Sequence, residues 1–179
     1  MFKGGDTVIK IYATDISKRD YTRNAEEFLS FERLEKYRSI GHAERKNQCA
    51  AAGFLLKLAL GGKQEHYDKN GKPYFEGGFL SISHSGDWVL VAVSETEIGV
   101  DIEKIRPADT ERLNRKYFAD PPENFFENWV RKESMLKKLG TGLKGTGDTH
   151  EHSFLILPDF PGYAAALCTE ESEYELIIV

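Results

Sequence analysis

The stretch Ile98-Gly99-Val100-Asp101-Ile102-Glu103 constrains the fold of this chain more than any other. Apolar side chains at 98, 100 and 102 alternate with carboxylates at 101 and 103, the period-two pattern of a half-buried strand. One face of such a strand enters a core. The other carries two like charges at neighbouring positions, which repel each other. A hard cation between them reverses the sign of that interaction, and Mg²⁺ takes oxygen ligands of this kind. A solvated acidic edge strand fits the same six residues, so what accompanies them decides.

A short strand is expected over residues 7–12. Phe28, Phe31, Leu34 and Tyr37 share one helical face and predict a helix over 24–37. An Ala-rich run with Phe54, Leu55 and Leu58 predicts a second helix over 42–60, stopped by Gly61-Gly62. Asp68-Lys69-Asn70-Gly71 reads as a hairpin turn of the tight primed kind that Asn-Gly favours, with Lys72-Pro73 at the start of the next strand. Residues 80–84 and 88–93 form a second hairpin around Ser85-Gly86-Asp87, its second arm apolar enough for a central strand. A short helix is expected near 111–118. The last main helix spans 123–139 behind Pro121-Pro122 and ends at Gly140. Strand-like runs at 154–157, 163–168 and 174–179 close the pattern. Each half thus offers one long helix followed by strands, an α+β arrangement without a legible internal repeat.

Two motifs mislead. Gly140-Thr141-Gly142-Leu143-Lys144-Gly145 matches the dinucleotide-binding spacing but follows a helix and opens none. His150-Glu151-His152 lacks a third nearby ligand and reads as a loop.

The length of 179 residues suits one substantial core, or two lobes sharing one. A net charge of −5 argues against a nucleic-acid binder, while leaving room for a local basic pocket for a small phosphorylated ligand. No apolar stretch approaches the roughly 20 residues that cross a bilayer, and the first residues lack a signal peptide's apolar run. Cys49 and Cys168 form no C-x-x-C pair, so a disulfide framework or zinc knuckle is not expected. The expectation is a cytoplasmic protein without membrane or nucleic-acid partners.

Four pieces, Gly71-Lys72-Pro73, Ile82-Ser83-His84-Ser85, the acidic strand, and Trp129-Val130-Arg131-Lys132-Glu133-Ser134-Met135-Leu136-Lys137, resemble in order the signature of the 4′-phosphopantetheinyl transferases, in their larger single-chain Sfp-type class. The resemblance covers roughly residues 38–143. It implies two similar α+β lobes related by a pseudo-twofold, here 1–96 and 97–179, with coenzyme A in the cleft between them. It also implies transfer of the 4′-phosphopantetheine arm to a serine of an apo acyl- or peptidyl-carrier protein, by an enzyme that works as a monomer. Asp101, Glu103 and Glu133 would be the Mg²⁺ ligands. Glu103, Glu133 or a water on the metal would remove the serine proton. Lys137 and His84 would contact the pyrophosphate, Ser83 and Lys72 the 3′-phosphate, and Lys132 would neighbour the coenzyme. Gln48 stands where the family commonly has a helix arginine, which leaves Arg45 as the candidate phosphate contact. The segment between Glu103 and Trp129 is shorter than is typical of the class. A divalent-metal phosphohydrolase, or a coenzyme- or carrier-binding module without turnover, would share parts of this pattern.

Overall fold

The structure is a computed structural model and describes residues 8–107, 110–118, 124–142 and 148–179. In chain order it has β1 (Ile9–Asp15), a 3-10 turn (Ala25–Glu27), α1 (Phe31–Ser39), α2 (Ala43–Leu60), β2 (Glu65–Tyr67), β3 (Pro73–Phe75), β4 (Gly78–Ser85) and β5 (Trp88–Ser94). Then come β6 (Gly99–Lys104), α3 (Thr110–Tyr117), α4 (Phe125–Leu139), β7 (Phe154–Ile156), β8 (Tyr163–Cys168) and β9 (Tyr174–Ile178). The first sheet has strand order β2-β3-β4-β5-β1-β9 and the second β6-β8-β7. All pairings are antiparallel except that of β1 with β9.

Alternation along the strands builds four layers. Val89, Val91 and Val93 of β5 pack against Ala50, Ala51, Leu55 and Leu56 of α2. The opposite face of the same sheet, Ile9, Ile11 and Ala13 of β1 with Leu90 and Ala92 of β5, meets Val100 and Ile102 of β6 and Ala165 and Leu167 of β8. Ala164 and Ala166 of β8 turn the other way, against Val130 of α4, while Met135 and Leu136 of α4 meet Cys168. β5 is a fully flanked strand, as its apolar run predicts.

The α+β class is as expected. The two sheets have six and three strands, and each carries one long helix. β9, the last strand of the second half, pairs with β1 in the first sheet.

Two local expectations are corrected. The single helix over 24–37 is broken, because Ser30 is extended (ψ 162°) and its hydroxyl accepts from the Arg33 N–H, starting α1 at Phe31. The Asp68–Lys72 hairpin is not a two-residue primed turn. Asp68 N–H bonds Lys72 O at 3.0 Å and Gly71 N–H bonds Asp68 O at 2.9 Å, with Gly71 at φ +82°, a three-residue connection. The two-residue turn lies instead at Gly86-Asp87, with Gly86 at φ +51° between paired Ser85 and Trp88. Pro121-Pro122, the expected start of the last helix at 123, and residues 143–145 lie outside the described residues.

Candidate active site

β6 carries Asp101 and Glu103 on one face, and α4 is laid directly on its backbone. The contact depends on Gly99. A Cβ there would stand 1.9 Å from the Ser134 carbonyl oxygen and 2.5 Å from the Lys138 amide nitrogen. With no side chain at 99, α4 comes close enough for Lys137 to reach β6. Its ammonium lies 2.7 Å from Asp101 Oδ1 and 2.8 Å from Ser83 Oγ.

On its other side β6 meets β4 through side chains. Ser81, Ser83 and Ser85, alternating along β4, accept the amide N–H groups of Val100, Ile102 and Lys104 at 2.9, 3.3 and 3.1 Å. These are amides of an edge strand, which need partners outside their own sheet. Two of the serines also donate to the acidic pair, Ser83 to Asp101 Oδ1 and Ser85 to Glu103 Oε2, each at 2.8 Å.

A cleft of about 590 Å³ opens where α1, α2, β4 and the end of α4 meet. Its lining includes five basic side chains, Arg33, Lys36, Arg45, Lys72 and Lys137, and a single acidic one, Glu133. In a chain of net charge −5 this concentrates positive potential in one concavity. Arg33 is already committed, its Nε lying 2.8 and 2.9 Å from the two oxygens of Glu65.

The carboxylates are crowded. Burial pushes Glu133 up to about 7, with repulsion from Asp101 and Glu103 adding to it and Lys137 opposing. Burial and the Asp101 charge raise Glu103 as well, against its hydrogen bond from Ser85. Asp101 is 3% exposed, and its Oδ2 is buried without a hydrogen-bond partner. Among the described residues no three acidic, histidine or cysteine side chains stand together as a metal cage. Lys137 supplies the positive charge that faces Asp101 in this structure.

Several expected residues converge here. Arg45, Lys72, His84, Glu133 and Lys137 line the cleft. His84 keeps a face open to solvent, yet burial between the cleft walls, with Lys137 and Lys36 nearby, holds its imidazole below the ordinary histidine range. Lys72 is also lowered by burial, and its ammonium donates to the Lys138 carbonyl near the end of α4. Gln48 does not take the place of a phosphate-binding arginine. It is buried and donates to the Gly86 carbonyl at 2.8 Å, clamping the β4–β5 turn.

One expected residue stands away from the cleft. Lys132 turns to α3, donating to the Tyr117 carbonyl at 2.6 Å over the Phe118 ring, and is not part of the cleft wall. Ser83 is engaged within the carboxylate network, its hydroxyl donating to Asp101 and accepting from Ile102 N–H and Lys137. Trp129 packs against Tyr117, Phe118 and Phe125 as helix-to-helix filling. Arg33, Lys36, Ser85 and Gly99 are site residues to which the sequence reading assigns no role. The serines could have been found from their strict alternation, Ser81-x-Ser83-x-Ser85, on a strand where a buried face should be apolar.

Fold and cleft together define an α+β protein in which a basic concavity abuts carboxylates contributed by a strand and a helix. Known proteins give that class its relatives. The chain is 26% identical over 213 aligned positions to the 4′-phosphopantetheinyl transferase Sfp of Bacillus subtilis, covering 93% of this chain and 94% of that protein. It is 36% identical over 115 positions to AcpT of Salmonella typhi, covering 54% and 60%, and 31% identical over 144 positions to HetI of Nostoc sp., covering 64% and 61%. Both of these are also 4′-phosphopantetheinyl transferases. No family model matches the chain. These similarities bear out the resemblance and the enzyme class read from the motifs.

Proposed function

We propose that this protein transfers the 4′-phosphopantetheine arm of coenzyme A to a serine hydroxyl of an apo acyl- or peptidyl-carrier protein, with Mg²⁺, releasing adenosine 3′,5′-bisphosphate. The observation that carries the reading is the junction at Lys137. There a basic cleft, suited to a ligand rich in phosphates, runs into the carboxylates of β6 and α4.

The donor chemistry supports a hard divalent cation: all three side chains offer oxygen ligands and one buried oxygen of Asp101 has no partner, although they do not stand together as a cage in this structure. Asp101, Glu103 and Glu133 would hold the ion, which when bound neutralises negative charge on a diphosphate. The chain's own groups do the rest. Lys137 is placed to follow the charge that develops on the diphosphate oxygens, exchanging its hydrogen bond to Asp101 for one to phosphate. Arg45, Lys72 and Lys36 hold the outer phosphate of the coenzyme, and His84 donates from the end of β4. The acceptor serine oxygen bonds to the phosphorus that bears the pantetheine arm, and the bridging P–O bond breaks with its electron pair leaving on adenosine 3′,5′-bisphosphate. The serine proton passes to a carboxylate. Glu133, which lines the cleft, or its neighbour Glu103 is the carboxylate that takes it.

The test is direct. Purified protein is mixed with coenzyme A, Mg²⁺ and a panel of apo carriers, and the carriers are weighed by mass spectrometry. Addition of the arm to a carrier serine is expected. Carriers unchanged across the panel, with coenzyme A still bound by the protein, would identify a binding module instead.

A further inference from the structure

The β4 serines do two separable things. Each accepts one β6 amide, which is a structural task shared by Ser81, Ser83 and Ser85. Only Ser83 and Ser85 also donate to a carboxylate, because the β6 residue that would correspond for Ser81 is Gly99. The offset is constant: the serine at position i takes the N–H of i+19 and gives its proton to the side chain of i+18. Ser83 shares its carboxylate oxygen with Lys137, whereas Ser85 donates to Glu103 on an oxygen that takes no cation among the described residues.

We infer that Ser85 is a positioning residue. Its donated hydrogen bond fixes the plane of the Glu103 carboxylate, so that Glu103 is set for a cation before one arrives. The inference rests on the function proposed above. The logic is that of any outer hydrogen bond to a ligating carboxylate, whose loss typically weakens metal binding about 10–100-fold. The backbone amide of Lys104, held by the same hydroxyl, locks the serine in place, so two hydrogen bonds define one side chain. The ladder thus transmits the register of the large sheet to the acidic pair of the small one.

The experiment reads binding as well as turnover. Mn²⁺ is titrated into the protein with coenzyme A present, followed by electron paramagnetic resonance, and transfer is measured across a Mg²⁺ series. Ser85→Ala should weaken Mn²⁺ binding about 10–100-fold and raise the Mg²⁺ concentration for half-maximal transfer to match. Ser85→Thr, which keeps the hydroxyl, should restore both. Ser81→Ala removes a rung without a carboxylate, so its Mn²⁺ affinity, read without coenzyme A because Ser81 lines the cleft, should equal that of the wild type. If Ser85→Ala loosens the fold, Ser85→Cys supplies a weak donor of similar size and should give an intermediate loss. Wild-type Mn²⁺ affinity in Ser85→Ala, or an equal loss in Ser81→Ala, would overturn the positioning role while wild-type transfer stands. A wild type that neither transfers the arm nor binds Mn²⁺ would overturn the functional reading itself.

Discussion

Lys137 is the residue on which the site turns, because it touches both the acid it restrains and the serine beneath it. Removing one preorganised charge of this kind typically costs a factor of about 10²–10³ in kcat. Lys137→Ala is therefore expected to lower kcat by that factor with the fold retained, as steady-state kinetics and circular dichroism would show. Asp101→Ala should abolish transfer, and near-normal turnover in that variant would remove it from the site. Glu133 gives a pH test. Its folded pKa is about 7 against an ordinary value of 4.5, so the folded chain keeps a proton that the unfolded chain has released between those values. The stability this lends is full below about pH 4.5 and is lost as pH rises to about 7. In chelator, denaturant unfolding should show Glu133→Gln gaining stability relative to wild type as pH increases through that window. A difference independent of pH would contradict the assigned environment.

At the scale of elements, the approach of α4 to β6 decides whether three carboxylates can cooperate. Gly99→Ala forces a Cβ into the Ser134 carbonyl, and overpacking of this kind costs about 1–3 kcal/mol or more. Transfer should fall further than stability does, since Glu133 and Lys137 move with the helix; activity kept in step with the folded fraction would argue otherwise. The elements differ in how legible they were. α2 declared itself by its Ala-rich face and Gly61-Gly62, and α4 by Gly140, which closes it in the left-handed region at φ +66°. The break at Ser30 was written in a cap residue that the apolar spacing of Phe28 and Phe31 outweighed. The order of the strands, and the return of β9 to β1, depend on contacts remote in sequence that no local pattern encodes. Lys137 beside Asp101 is legible in motifs that are specific in combination. The turn of Lys132 to the Tyr117 carbonyl is not legible, because spacing tells which residues are near one another and not which partner takes their hydrogen bonds.

As a whole molecule, the protein lines its cleft with five basic side chains while the chain overall is acidic. Among the described residues no helix is long and apolar enough to cross a membrane. If coenzyme A and a divalent ion occupy one site bounded by both sheets and α4, each should stabilise the fold more in the presence of the other. Thermal unfolding with both ligands should exceed the sum of the separate shifts, and simple additivity would place them apart. The central claim is geometric, and anomalous diffraction from a crystal grown with coenzyme A and Mn²⁺ tests it most directly. The account predicts one anomalous peak bonded by Asp101, Glu103 and Glu133 and by the diphosphate. A diphosphate-bound peak with Glu133 outside its coordination sphere, or a peak remote from β6, would contradict it.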